Sequence, residues 1–382
     1  MTVGTLSIIV AGEGSGVALF GLPPAERLRR TLRRAGLAEA PVIRAEMSAD
    51  GLAPALGAVL ADAEGPLLVL DGDAATDPRL VAALARADGP LVARTEEGAA
   101  LRVLPGTALP EAGSFAALAD ALIAAGTPRL AQEDFDGFVG VLRRDLPYWV
   151  LRPQDEAAAR DAERWMFFAN YKGSTDILTS HVFPPLVWPL TRWCAAAGIT
   201  PNAVTIVSIV LTALAAVLFW YGHLAAGLLA AYAMAVLDSV DGKLARVTLT
   251  DSAIGNVLDH GLDIVHPPFW WLAWAHGAML LGGPTWLWPA AWAMTGFYIA
   301  DRLVLMVAKA RFGRGLHAMT PLDGKVRAVI SRRNINLLIL TVGLVLGLET
   351  AAFALVVAWQ AATCLWHGLR TAMLYPRGRQ AA

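Results

Sequence analysis

The pattern of hydrophobic and polar positions divides the chain into two unlike parts. In residues 5–150, short apolar runs alternate with stretches of helical length, whereas long apolar segments dominate from Trp188 onward. Strands alternating with helices are typical of an α/β domain, and apolar stretches of about 20 residues are typical of helices that span a bilayer. We therefore predict a soluble α/β domain at 1–150, a linker with an interfacial helix at 151–198, and a membrane domain at 199–376.

The soluble part contains candidate strands and helices in alternation. The strands are predicted at 6–10, 41–43, 66–70 and 90–93, and the helices at 25–35, 52–63, 78–87 and 115–125. This alternation predicts a Rossmann-like parallel sheet covered by helices on both faces.

The membrane part offers six apolar segments, which predict an all-α domain of six transmembrane helices. They lie at 203–222, 224–245, 255–281, 285–309, 334–348 and 350–374, and an aromatic, proline-rich stretch at 177–197 predicts the interfacial helix. The turns near 221–223, 282–284 and 347–349 contain no Lys or Arg, which gather at the opposite ends of the segments. By the positive-inside rule, we expect both termini and the soluble domain on the cytoplasmic side of the inner membrane.

Composition agrees with a chain that is largely embedded in lipid. Charged residues make up only 16% of the chain and hydrophobic residues 56%, whereas soluble domains have about 25% charged residues. The formal net charge is −1, so nothing in the charge balance indicates nucleic-acid binding.

Four aspartates lie where the second and third membrane segments meet. Asp238 and Asp241 are three residues apart, and Asp259 and Asp263 are four apart, so each pair shares one face of a helix. Each carboxylate in an apolar segment costs about 2.5–3.5 kcal/mol to insert. Divalent cations remove this cost and the mutual repulsion, and oxygen ligands favour Mg²⁺ or Mn²⁺.

Two other interpretations of these aspartates stay open. They could form a buried salt-bridge cluster with Lys243 and Arg246, although four acids against two bases leave two acids unpaired. They could also mark an ion or proton pathway, as intramembrane acids do in transporters. A non-catalytic membrane protein that binds a nucleotide is therefore the alternative to an enzyme, together with a transporter.

The spacing from Asp238 to Asp263 reads D-x2-D-G-x2-A-R-x8-G-x3-D-x3-D. It resembles the signature of the CDP-alcohol phosphotransferase family at all eight positions. The resemblance implies a homodimeric membrane enzyme that transfers a phosphoalcohol from a CDP-alcohol to an acceptor hydroxyl and releases CMP. It also implies two Mg²⁺ or Mn²⁺ ions held by Asp238, Asp241, Asp259 and Asp263, with Asp263 acting as the general base.

The same resemblance implies the residues that contact the nucleotide. Those in or beside the signature are Gly242, Ala245, Arg246 and Ser252. Earlier in the chain, Pro201, Asn202 and Thr205 look like the family's Pro-Asn-x-x-Thr element beside the cytidine. Pro and Asn also suit the first turn of an ordinary helix, so both roles are expected of this stretch.

The first predicted strand runs into a glycine-rich loop with Gly12 and Gly14, and Asp73 follows the third strand. Such a loop suits phosphate binding, and the carboxyl end of a strand suits a metal ion. Together these features resemble the nucleotidyltransferase family that makes CDP-linked alcohols. Gly16 stands where that family has an arginine, and the family's Pro-Lys is missing. We therefore expect a degenerate domain that binds a nucleotide or serves as a scaffold.

A nucleotidyltransferase-like domain ahead of this membrane domain resembles bifunctional enzymes of inositol phosphate metabolism. Their Arg-Asp-Val-Arg-Leu element binds the acceptor phosphate, and the stretch from Arg333 to Leu337 keeps only its first arginine. We expect Arg332 to compensate. Arg302 either pairs with its neighbour Asp301 or lines the acceptor cavity. The expected acceptor is a lipid or a polyol phosphate, and the expected surroundings are membrane lipids.

Overall fold

We describe the fold from a computed structural model of the chain. It describes residues 6–12, 16–46, 52–250 and 253–375. Within 253–263 the backbone is described as helical, but the side chains of 253–260, 262 and 263 fall outside the description.

Strands and helices alternate in the front part of the chain. The strands are β1 (Ser7–Gly12), β2 (Val42–Glu46), β3 (Leu67–Asp71), β4 (Ala75–Thr76), β5 (Leu91–Arg94), β6 (Ala99–Val103), β7 (Phe138–Val139), β8 (Arg144–Asp145) and β9 (Val150–Leu151). The helices are α1 (Pro24–Arg34), α2 (Leu52–Ala61), α3 (Pro78–Arg86), α4 (Phe115–Ala124) and α5 (Glu156–Ala169). The predicted helices are confirmed, with ends shifted by one or two residues.

The main sheet is mixed, with its strands in the order β2-β1-β3-β6-β5. β1 pairs in parallel with β2 and β3, but β6 is antiparallel to both β3 and β5. The prediction of a parallel sheet is therefore wrong for the half of the sheet that contains β6 and β5. The cause is β6, a strand absent from the predicted set. Residues 95–98, closed by a 2.9 Å bond from Thr95 N to Gly98 O, are too few for a crossover, so the chain turns back as a hairpin.

Helices cover both faces of the sheet, as predicted. β3 is buried along its whole length, and its successive side chains enter two separate cores. Leu67 packs with residues of α2 and α4, and Leu68 packs on the opposite face with residues of α1 and α3. A strand covered on both faces needs apolar residues at every position, which explains why β3 reads as a continuous apolar run.

The rest of the chain is helical. After a π-helical turn at Leu178–Val182, its helices are α6 (Pro184–Ala196), α7 (Pro201–Trp220), α8 (Leu224–Val247), α9 (Ala253–Leu280), α10 (Leu287–Phe312), α11 (Pro321–Val326), α12 (Arg333–Val345) and α13 (Glu349–Leu374). Four helices among the described residues, α7, α8, α10 and α13, are long and apolar enough to cross a membrane. α9 and α12 occupy the other two predicted segments, so a total of six spans stays a prediction.

The front domain and the helical part share one hydrophobic core. Leu19 and Phe20, from the loop before α1, belong to the same buried cluster as Leu244 of α8. Gly21 has a φ of +68°, and a Cβ atom there would lie 3.0 Å from the carbonyl oxygen of Ala195 in α6. Glycine is required where backbone approaches backbone this closely at positive φ. The predicted linker therefore holds two packed helices, α5 and α6, at this contact.

Glu163 of α5 is the buried charge at this contact, with 5% of its surface exposed. Its Oε1 accepts from the Phe20 amide at 2.5 Å, and its Oε2 accepts from Arg192 Nε at 2.7 Å. The loop before α1 and the helix α6 are therefore tied to α5 by one carboxylate.

We expect Glu163→Ala to lower the free energy of unfolding by about 1–3 kcal/mol, because it leaves the buried Phe20 amide without an acceptor. Denaturant unfolding of the detergent-solubilised chain measures this. Glu156→Ala, at the exposed start of the same helix, is the matched control and should cost less than about 1 kcal/mol. Equal losses in the two variants would contradict a tying role for Glu163.

Candidate active site

The last three turns of α8 carry two of the four predicted aspartates, and each is held by a different helix. Asp241 is 4% exposed, and its Oδ2 accepts from Thr205 Oγ1 of α7 at 2.7 Å. Asp238 is half-buried, and its Oδ2 accepts from Arg333 Nη2 of α12 at 2.6 Å. The spacing of three residues therefore does what the sequence predicted, and brings both carboxylates toward one side of α8.

Gly242 and Arg246 meet on the next face of α8. A Cβ atom at Gly242 would lie 3.4 Å from Arg246 Nη1, so the guanidinium folds back over the glycine. The Arg246 guanidinium is planar and presents several hydrogen-bond donors, so it is suited to bind a phosphate above the backbone at Gly242. Ala245, half-buried beside it, adds no bulk.

Lys243 interacts electrostatically with Asp238 and Asp241 and also packs against aromatic rings. It is 5% exposed, and its Nζ lies 3.8 Å from the ring centre of Tyr171 and 5.6 Å from that of Phe167. The ammonium is also stabilised against aromatic faces. The salt-bridge interpretation of the acidic stretch therefore stays open.

The carbonyl end of α8 is closed by residues of the front domain. Leu249 has a φ of +55°, and the Thr250 amide donates to Ala245 O at 2.9 Å, as in a Schellman cap. Two further carbonyls are reached from α1. Arg27 Nη2 donates to Val247 O at 3.1 Å, and Arg30 Nη1 donates to Thr248 O at 2.8 Å.

These two arginines are site residues that sequence reasoning missed. Their spacing of three places them on one face of α1, but nothing in the sequence indicates that this face meets α8. Burial lowers the pKa of Arg27 to about 10, and the charge of Glu163 opposes that shift. Arg27 is therefore still charged at neutral pH, as suits a cation at a helix C-terminus.

The nucleotide element predicted on α7 begins a helix, as its composition also suggested. Thr200 caps the helix by accepting from the Ala203 amide at 3.2 Å, and Pro201 occupies the first turn. Asn202 is exposed there. Thr205, one turn further, faces inward to Asp241 and so links this element directly to the aspartates.

Several predicted residues fall outside the description. Ser252 and Gly14 lie outside the described residues. The backbone of Asp259 and Asp263 belongs to α9, but their side chains are not described. Among the described side chains, no group of three or more His, Cys, Asp or Glu is placed to hold a metal ion. Convergence of four carboxylates therefore stays a prediction, to which α8 contributes two.

Arg332 and Arg333 lie at the start of α12 and point to two different acids. Arg333 reaches Asp238, and Arg332 Nη1 lies 3.4 Å from Oδ2 of the buried Asp176. Asp176 also accepts from Asn334 Nδ2 at 3.1 Å. Burial by itself raises the pKa of Asp176, but the charge of Arg332 and the hydrogen bonds outweigh it and hold that pKa below its ordinary value.

Asp301 and Arg302 do not pair with each other among the described contacts. The Asp301 carboxylate binds His367 Nδ1 at 2.5 Å, and the Arg302 guanidinium lies 4.8 Å from the Tyr298 ring centre. Tyr298 in turn donates to Ile264 O at 3.0 Å, one residue beyond Asp263. Arg302 therefore lies on the side of α10 that faces the aspartate-bearing part of α9.

The acidic pair of the front domain is neutralised from within. Asp73 Oδ1 accepts from the Gly16 amide at 2.9 Å, and Arg152 Nε lies 3.2 Å from Asp71 Oδ2. A Cβ atom at Gly16 would lie 2.9 Å from Asp73 Cα, so the arginine of active relatives could not stand there without a shift. A recess of only about 10 Å³ remains beside Asp73, room for about one water molecule.

A wider surface recess, of about 600 Å³, lies elsewhere on the front domain, between Arg94, Arg129, Trp149 and Trp165. Its walls also contain acidic residues, and none of the predicted site residues lines it. We assign it no role in the chemistry.

Residues 198–366 match the model of the CDP-alcohol phosphatidyltransferase family. This part of the chain is similar to a CDP-alcohol phosphatidyltransferase domain. It contains the whole predicted aspartate stretch and α7 to α12, and the α/β architecture ahead of it fits the nucleotidyltransferase resemblance.

Two curated relatives are similar to part of this chain. A phosphatidylinositol phosphate synthase of Mycobacteroides abscessus is 30% identical over 134 residues, which cover 35% of this chain and 56% of the relative. An archaetidylinositol phosphate synthase of Pyrococcus horikoshii is 38% identical over 90 residues, which cover 22% of this chain and 47% of the relative. The chain thus spans about half the length of these relatives.

We expect Arg152 and Asp71 to be energetically coupled, because the guanidinium is the close counter-charge of a buried carboxylate. A double-mutant cycle with Arg152→Ala and Asp71→Asn, measured by denaturant unfolding, should give a coupling of about 1–3 kcal/mol. The surface pair Arg94 and Asp120 is the control and should give about 0.2–1 kcal/mol. Coupling at Arg152 no larger than at the surface pair would contradict an internal counter-ion.

Proposed function

We propose that this chain transfers a phosphoalcohol from a CDP-alcohol to an acceptor hydroxyl in the membrane, with release of CMP. The observation that carries the proposal is the pair Asp238 and Asp241. Both lie on a helix inside the family-matched segment, and both are oriented by hydrogen bonds from other helices. Similarity to the phosphatidyltransferase family supports a transferase of phospholipid synthesis.

The proposal includes a divalent metal, held by Asp238, Asp241, Asp259 and Asp263. The two described carboxylates suit such an ion, because they are oxygen donors drawn into an apolar helix where an unpaired negative charge is costly. When bound, Mg²⁺ or Mn²⁺ would neutralise the pyrophosphate and the departing CMP. Thr205 keeps one oxygen of Asp241 fixed, so that this carboxylate keeps its direction.

The proton and the nucleotide have separate places in this proposal. Asp263 would take the proton of the acceptor hydroxyl as that oxygen attacks the phosphorus next to the alcohol, and the bond to CMP breaks. Arg246, lying over Gly242, would hold the phosphates of the nucleotide. Pro201, Asn202 and Ser252 are proposed to lie beside the cytidine and ribose.

The acceptor side is proposed to bind a phosphorylated polyol, and the donor to be a CDP-linked lipid. Arg333 binds Asp238 and therefore connects the aspartates with the other arginines proposed for the acceptor, Arg332 and Arg302. Guanidinium groups recognise phosphate through paired hydrogen bonds. Both relatives are named as synthases of an inositol phosphate lipid. This supports a polyol phosphate, rather than a second lipid, as the acceptor.

Topology and assembly complete the proposal. The front domain, the aspartates and both termini would face the cytoplasm, where soluble nucleotide and polyol phosphate are found, and the cationic ends of the helices support this orientation. A homodimer in the inner membrane is proposed from the family resemblance alone.

We expect CMP release from a CDP-lipid and an inositol phosphate by the purified full chain, dependent on Mg²⁺. Asp263→Asn should lower kcat about 10²–10⁴-fold, because it removes the general base. Asp241→Asn should lower activity and weaken Mg²⁺ activation. Asp161→Asn, at an exposed position of α5, is the control and should keep full activity.

A wild-type chain that releases no CMP from any CDP-alcohol and acceptor tested would contradict the proposed function. So would aspartate variants that keep wild-type rates, since the reaction would then not use these carboxylates.

The front domain should not make a CDP-alcohol from CTP and a polyol phosphate. Its acidic pair is bound by Arg152, and its loop lacks the positive charges that neutralise a triphosphate. With CTP and inositol phosphate, the full chain should release no more pyrophosphate than the Asp73→Ala variant does. Pyrophosphate release that disappears in Asp73→Ala would show instead that this domain is an active nucleotidyltransferase.

A further inference from the structure

The hairpin between β7 and β8 brings one arginine of the front domain to the helical part. The Gly173 amide donates to Leu142 O at 2.8 Å, and Arg143 Nη1 donates to Ser174 O at 3.3 Å. Ser174 Oγ in turn donates to Gly324 O of α11 at 3.4 Å. The guanidinium of Arg143 is therefore anchored two residues before Asp176, the partner of Arg332.

This placement adds the positive charge of Arg143 to those of three other arginines, Arg302, Arg327 and Arg332. Arg143 and Arg332 interact electrostatically, and Arg327 interacts with both of them, with Arg302 and with Asp176. Arg327 thus couples electrostatically to the other three guanidinium groups, and Asp176 is the carboxylate that both Arg327 and Arg332 meet. Cations gathered away from water need an opposite charge, because desolvation and mutual repulsion both oppose the cluster.

Hydrogen bonding indicates that this cluster is incomplete by itself. The Nε atoms of Arg302 and Arg327 are buried and have no hydrogen-bond acceptor among the described residues. Burial lowers the pKa of Arg327, and the charges of Arg332 and Arg143 lower it further. Unmet donors and excess positive charge both fit a multiply charged anion with several acceptor oxygens.

The backbone of Arg143 is a second, independent sign that its side chain matters at this place. Its φ is +54°, in the left-handed region that glycine or asparagine adopts at less cost. The turn from Val139 to Arg143 is closed by backbone bonds from the Leu142 and Arg143 amides to Val139 O. An arginine in this position is unfavourable for the turn alone.

We propose that Arg143 is a specificity-determining residue, which the front domain supplies to bind the phosphate of the acceptor together with Arg327 and Arg332. This inference rests on the proposed transfer to a phosphorylated polyol and goes beyond it. The front domain then takes part in acceptor recognition, although Arg152 occupies the acidic pair of its own predicted nucleotide site. Unphosphorylated acceptors would gain nothing from Arg143.

The test compares Arg143→Gly with the neighbouring Arg144→Ala in the full chain. Arg144 donates only to Asp145 O among its described hydrogen bonds. Glycine removes the guanidinium and also relieves the positive φ, so the melting temperature without ligand should be unchanged or higher. Binding of inositol phosphate without donor, measured by calorimetry, should weaken about 10- to 100-fold in Arg143→Gly and stay unchanged in Arg144→Ala.

Kinetics give a second readout. In Arg143→Gly the KM for inositol phosphate should rise about 10- to 100-fold, while the KM for the CDP-lipid stays constant. Arg143→Lys should recover part of the affinity, because it restores the charge without the planar fork. Unphosphorylated inositol should bind wild type and Arg143→Gly equally.

Two results would overturn the inference. They are unchanged inositol phosphate binding in Arg143→Gly, whatever its melting temperature, and no binding of inositol phosphate by the wild type. The binding assay needs no turnover, so it separates this inference from the transfer reaction. A chain that binds inositol phosphate through Arg143 but releases no CMP would contradict only the proposed function.

Discussion

The structure depends on the end of one apolar helix, α8, where charged side chains and backbone carbonyl groups need partners. The last three turns of α8 carry Asp238, Asp241, Lys243 and Arg246, and the helix then ends with carbonyls that have no partner within the helix. Each of these groups is costly in an apolar setting unless it has a partner. Other segments supply those partners, and their positions are therefore fixed relative to α8.

The partners come from four separate parts of the chain. α7 provides a hydroxyl for Asp241, α12 provides a guanidinium for Asp238, and the aromatic residues at the end of α5 cover Lys243. α1 of the front domain provides two guanidinium groups for the carbonyl end. The front domain, which we expect to be catalytically degenerate, is thus attached at the helix where the proposed chemistry takes place.

The sequence predicted the helices of both parts of the chain well, because these depend on periodicity and on local spacing. Asp238 and Asp241 had to share a face whatever the fold. The antiparallel half of the sheet was not predictable in the same way, since β6 is a short, fully buried strand whose pairing is set by a four-residue turn.

Long-range contacts were the least accessible to sequence reasoning. Arg333 was predicted for the acceptor, but its contact with Asp238 depends on how α12 packs against α8. The pairing of Asp301 with His367 crosses 66 positions, and the neighbouring Arg302 was the more obvious partner in the sequence. Arg143 had no local signal at all, because only its turn conformation and its neighbours in space mark it.

The most direct test of the central claim is a structure of the full chain with CMP and Mn²⁺, in which manganese is located by its anomalous scattering. The account predicts manganese beside Asp238 and Asp241, with CMP phosphate next to Arg246, and no manganese in Asp241→Asn. Manganese absent from these carboxylates, or CMP bound only in the front domain near Asp73, would contradict it.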